Sequence, residues 1–213
     1  MNGVKFGDKH SITDWDLIMI SKSIGKAEPK TNKIEIPGRD GTIDLTEALG
    51  EVKYNDRAIS FNFDTLKPPS SWWELDRTIT NYIQGKKLAV TLDQDSNYYY
   101  LARLKVDSFT NDKNVGHFSI SGTAEPYKYK KDMTVKSYTV SANNTYTFEN
   151  ERKSVVPTLE LSANMTIEFE GNSYSLSAGS QKVREIKFKE GTNSIKIITG
   201  SGTLKATYQE ATL

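Results

Sequence analysis

Alternation with a period of two runs through this chain and commits most of it to β-strands. In Arg57–Asp64, Ile59, Phe61 and Phe63 alternate with Ser60, Asn62 and Asp64. Successive side chains of a strand point to opposite faces, so this pattern predicts one face on a core and one on water. Leu88–Leu92 and Tyr98–Val106 flank Asp93-Gln94-Asp95-Ser96-Asn97 and predict a hairpin with a polar loop. A further strand is expected near His117–Ser121.

One segment has the other period. Trp72, Leu75, Ile79, Tyr82 and Ile83 recur at helical spacing and predict an amphipathic helix over 71–84. Ser71 and Glu74 have the spacing of a capping box, and Gly85 followed by Lys86 and Lys87 supplies a stop. Such a helix covers one face or edge of a sheet, and each stripe residue contributes about 1.5–3 kcal/mol if fully buried.

The second half reads as all β. Strands are predicted at Thr134–Val140, Thr145–Phe148, Thr158–Leu161, Thr166–Glu170, Ser173–Leu176, Val183–Phe188, Ser194–Ile198 and Leu204–Tyr208, between Asn- and Gly-rich turn signals. Many short strands at regular spacing imply a sandwich or jelly roll. Gly122–Asp132, with Pro126 and several lysines, reads as an exposed crossing segment. The expected division is therefore 1–130, an N-terminal β domain with one helix, and 131–213, a C-terminal β-sandwich. Residues 7–33 are polar and irregular apart from Trp15–Ile20, and predict a strand plus a long excursion.

Composition removes several function classes. The absence of cysteine excludes thiolate nucleophiles, Cys-based zinc sites and disulfide scaffolds, and suits folding in a reducing cytoplasm. A net charge of +1 offers no global field for nucleic acid or an anionic membrane. The first residues lack a signal-peptide apolar core, and no apolar run is long enough to span a membrane. Neither His10 nor His117 belongs to a metal motif. Asp93–Asn97 begins like a calcium loop, but Tyr98 stands where glycine is needed. Carboxylate pairs such as Asp44 with Glu47, or Glu168 with Glu170, are expected by chance in a chain this rich in acids. No enzyme, cofactor or metal is expected.

Pro37-Gly38-Arg39-Asp40-Gly41-Thr42-Ile43-Asp44-Leu45 is a turn built to hold a shape, with proline fixing φ and the glycines allowing φ > 0. It is no Walker loop, because no lysine follows Gly41. Arg39 carries a planar fork of donors suited to a carboxylate on a neighbouring segment or subunit.

Together with Tyr54-Asn55-Asp56-Arg57-Ala58-Ile59-Ser60-Phe61-Asn62-Phe63, the Trp-rich helix, Tyr98-Tyr99-Tyr100 and Ala124-Glu125-Pro126-Tyr127, this turn resembles the distal tail protein (Dit) family of siphophages. The resemblance covers roughly residues 1–130. It implies a mainly β chain with a sandwich-like ring domain followed by a galectin-like sandwich. It further implies a hexameric ring at the tail tip, made in the host cytoplasm. That ring joins the tail tube protein to the tail-associated fibre or lysin protein and to receptor-binding components. Pro37, Gly38, Arg39, Asp40, Gly41, Asp44, Tyr54 and Arg57 are the expected ring-contact or ring-supporting residues. The competing expectation is a carbohydrate-binding adsorption module, since exposed Trp or Tyr rings stack on sugars.

Overall fold

The computed structural model describes residues 3–48 and 50–213. They form two compact units, the first ending at Lys128 and the second spanning Tyr129–Thr212. Each has a hydrophobic core of its own.

The first unit contains β1 (Val4–Phe6), β2 (Lys9–His10), α1 (Ser11–Trp15), β3 (Leu17–Ile24), β4 (Lys33–Glu35), β5 (Thr42–Asp44), β6 (Arg57–Thr65), α2 (Trp72–Ile83), β7 (Lys87–Leu92), β8 (Tyr98–Asp112) and β9 (Val115–Lys130). Its main sheet has the order β2-β1-β7-β8-β9-β6-β3. The alternation in β6 is realised: Ile59, Phe61 and Phe63 are buried, while Ala58 and Asn62 face solvent. Phe6 packs edge-on to Phe61 and Phe63, with ring centroids 5.7 and 6.1 Å away, and stacks on Trp15 at 6.0 Å. Interlocked rings of this kind contribute about 0.5–1.5 kcal/mol per pair beyond the area they bury.

α2 lays Leu75, Ile79 and Ile83 on that core, as its periodicity predicts, and buries Trp72 edge-on to Phe109. Its start differs from expectation. The Ser71 backbone is already helical and its hydroxyl donates to the Pro68 carbonyl at 2.9 Å, so no capping box forms. Pro68 and Pro69 impose a tight 3₁₀ turn over Pro69–Ser71, which feeds the helix directly. Its end is as read: Gly85 has φ +73°, and the Lys86 ammonium donates to the Asn81 carbonyl at 3.1 Å. The helix thus occupies 72–83 rather than 71–84. A second, one-turn helix, α1, has no signature in the sequence because its N-cap is a histidine. His10 Nδ1 accepts from the backbone N–H groups of Ile12 and Thr13, and Asp16 closes the turn at φ 54°.

The predicted crossing segment is instead strand, since β9 continues to Lys130. Pro126 is tolerated because pairing with β6 ends at Arg57↔Ala124, so its missing N–H removes no rung of that ladder.

The second unit contains β10 (Thr134–Val140), β11 (Thr145–Asn150), β12 (Thr158–Leu161), β13 (Met165–Phe169), β14 (Asn172–Leu176), β15 (Gly179–Gln181), β16 (Gly191–Thr199) and β17 (Gly202–Tyr208). They form two four-stranded sheets, ordered β10-β17-β12-β15 and β11-β16-β13-β14, around the second core. Val183–Phe188 is not a strand. Ile186 and Phe188 are fully buried and mimic strand alternation, yet the chain turns at Val183–Ile186 and makes one bridge, Val155↔Phe188. Buried residues two apart in a packed loop cannot be told from a short strand by period alone.

These observations predict opposite outcomes for two substitutions in and beside α2. Ile79→Ala should lower unfolding free energy by about 2–5 kcal/mol, and Ser71→Ala by less than about 0.5 kcal/mol. Urea titration followed by circular dichroism distinguishes them.

Candidate assembly surface

β3 and β6 pair in antiparallel register from Leu17↔Thr65 to Ile24↔Ile59, and their pairing does not stop where the core stops. The Gly25 N–H donates to the Ala58 carbonyl (2.9 Å), Asn55 to Glu28 (2.8 Å), Lys30 to Lys53 (2.7 Å) and Leu45 to Asn32 (2.7 Å). β4 and β5 then pair from Lys33↔Asp44 to Glu35↔Thr42. Residues 25–48 and 50–56 therefore belong to a two-legged arm growing out of the sheet, and the Pro37–Gly41 turn is its tip.

At the tip the Arg39 N–H donates to the Ile36 carbonyl at 3.1 Å. Gly38 and Gly41 adopt φ +82° and +74°, and a Cβ at either would meet nothing within 4 Å. Those glycines serve backbone shape rather than close packing. Every residue from Glu28 to Thr42 is exposed, including Ile34 at 47% and Ile36 at 41%. An arm with no core of its own and two branched apolar side chains in water has the character of a docking element.

The predicted residues separate into three places. Pro37, Gly38, Arg39, Asp40 and Gly41 sit together at the tip. Asp44 lies down one leg, where the Thr46 hydroxyl and backbone N–H hold its carboxyl below the usual range. Tyr54 stands near the root, bridged to Pro29, with its ring edge-on to Tyr127 at 5.9 Å. Arg57 is only 3% exposed: its guanidinium donates to the Pro126 carbonyl and lies 5.5 Å from the Tyr100 ring centroid. It braces the unit from within and cannot present its charge to a neighbour.

One surface escaped the sequence reading. Ile18, Leu66 and Ile12 line a hollow of about 330 Å³ with Asp16 and Lys67 at its rim. Leu66 is 73% exposed. Ile18 was hidden inside an apolar run that reads as core strand, and Leu66 stands in a loop with no period to flag it.

The chemistry-bearing residues are paired structurally. His10 Nε2 lies 3.1 Å from Asp93, and His117 Nδ1 lies 2.6 Å from Asp64. In the Asp93–Asn97 loop, Asp93 accepts from the Gly3 N–H at 2.8 Å and Asp95 pairs with Lys128 at 2.7 Å. Glu168 faces Lys196 and Glu170 faces Lys189. Among the described residues no three metal-ligating side chains cluster. Of the tryptophans weighed for sugar stacking, Trp72 is buried and Trp73 is exposed with its ring edge-on to Phe109.

Two β units in tandem, the first bearing an exposed hairpin, make up a fold shared with a solved phage protein along nearly its whole length. The particular likeness is to the Dit protein of phage SPP1, a paradigm of the hub adsorption apparatus in phages that infect Gram-positive hosts. The TM-score is 0.67 over 98% of this chain and 99% of that one, at 10% sequence identity. No family model and no curated protein matches the sequence. The resemblance seen in the residues thus holds as a likeness of fold along nearly the whole chain.

The two arginines should separate in their effect on stability. Arg57→Ala removes a buried hydrogen bond and ring contact and should cost about 2–4 kcal/mol. Arg39→Ala should change the unfolding free energy of the dilute protein by less than about 0.5 kcal/mol. Equal losses in a denaturant titration would contradict the placement.

Proposed function

We propose that this chain is the distal tail hub of a siphophage or prophage. In this reading, copies close into a hexameric ring at the tail tip. The ring joins the tail tube above to the tail-associated fibre or lysin protein below, and carries receptor-binding components. The observation that carries the reading is the arm, exposed throughout Glu28–Thr42, on a fold shared over 98% of the chain with a phage hub protein. A ring needs heterologous contacts, in which one surface of a subunit meets a different surface of the next. A rigid projection displaying Arg39 and Asp40 supplies one partner of such a contact.

The role is docking without catalysis. Several weak contacts per subunit add up through effective concentration once the ring closes, so the free subunit is monomeric or dimeric when dilute. The second unit is a galectin-like sandwich that holds receptor-binding or other baseplate proteins. Assembly takes place in the host cytoplasm, and the product resides in the virion.

Mass measurement across a concentration series, followed by electron microscopy, tests the reading. The expected outcome is a rise from monomer to six-membered rings. A protein that stays monomeric at every concentration and is missing from the apex of purified virions would contradict it.

A further inference from the structure

The arm tip and the Ile18–Leu66 hollow lie at opposite ends of the same two-strand ladder. Ile18 pairs with Asp64 at one end, next to Leu66, while the tip closes the other. One chain cannot fold its own tip into its own hollow. A head-to-tail contact joins two different surfaces of the same chain, and a projection and a hollow that cannot meet within one chain satisfy that requirement.

Their chemistry matches. The tip offers Ile36 and Pro37 beside the ordered charge pair Arg39-Asp40. The hollow offers Ile18 and Leu66 beside Asp16 and Lys67, whose charged groups are 3.0 Å apart. The tip thus carries one cation and one anion beside its apolar residues, and the hollow carries the same complement. The hollow is also fixed in advance. The Lys67 carbonyl accepts from Trp72 Nε1 at 2.7 Å, its N–H donates to the Thr65 hydroxyl, and Thr65 is fully buried. A pre-formed acceptor loses little entropy on binding.

We infer that the hollow formed by Ile18, Leu66, Asp16 and Lys67 is the seat for the arm tip of a second copy of this chain, with Ile36 against Leu66 and the Arg39-Asp40 pair against Asp16-Lys67. This rests on the ring reading above and adds the acceptor that the ring requires. The contact is directional, so its repetition propagates copies around one axis.

Charge reversal tests it on the full chain. Asp40→Lys and Lys67→Glu should each raise the concentration needed for assembly at least tenfold, the scale of a close interfacial charge pair. Combined in one chain they should restore it to within about threefold of wild type, because the tip of each copy again meets its opposite charge. Leu66→Asp should block assembly without rescue. Melting followed by circular dichroism should be unchanged for Asp40→Lys and Leu66→Asp, which lie outside the core, and should fall only slightly for Lys67→Glu, which loses the exposed ion pair with Asp16. If wild type assembles and the Lys67 and Leu66 variants assemble equally well, the seat is wrong while the ring reading survives. If the double variant is worse than either single one, the pairing is wrong. If wild type forms no assembly at any concentration the seat is wrong, and the ring reading falls with it when the protein is also missing from the apex of purified virions.

Discussion

The antiparallel ladder between β3 and β6 is the interaction on which the rest of the first unit depends. At its inner part it places Phe61 and Phe63 in a cluster of aromatic rings under α2. Further along, the same two strands leave the sheet and keep exchanging backbone hydrogen bonds as the arm. An isolated two-stranded hairpin is marginal in water. This one is anchored by a strand pair that forms part of a larger sheet, so its register is set by buried residues at its base. The register of the tip is set by pairing that begins at the core.

That continuity explains the division of labour among the charged residues. Arg57 sits where the ladder enters the body, and its guanidinium serves the Pro126 carbonyl and the Tyr100 ring. Arg39 sits where the ladder ends, exposed at the tip. Burial of one and exposure of the other follow from their distance from the core rather than from their chemistry. A buried charge must be matched within the chain, whereas an exposed one is available to another molecule.

The sheets and the main helix were legible because burial on one face writes a period into the sequence. β6, the β7–β8 hairpin and the apolar stripe of α2 follow that rule. Where burial and period come apart, the reading went astray. Ile186 and Phe188 are buried from a loop, and α1 is too short to show a helical period and is capped by a histidine. The capping box failed because two prolines decide the entry to α2 before Ser71 can. At the candidate site the Pro-Gly turn marked the tip, since its φ requirements restrict residue type. The length of the arm was not visible, because its alternating runs, Ile34 and Ile36 against Lys33 and Glu35 and Ile43 against Thr42 and Asp44, form strands of only three residues each, too short to stand out from the Pro-Gly turn between them. The hollow at Ile18 and Leu66 is assembled from separate segments and exists only once β3 and β6 have paired.

Backbone hydrogen exchange as a function of protein concentration tests the central claim that the arm is the contact between copies. In the dilute protein the amides of residues 36–42 should exchange quickly while those of β6 are protected. On assembly, protection should rise first at residues 36–42 and around residues 66 and 67. Rings that form while the tip amides exchange as fast as in the dilute chain would contradict the account.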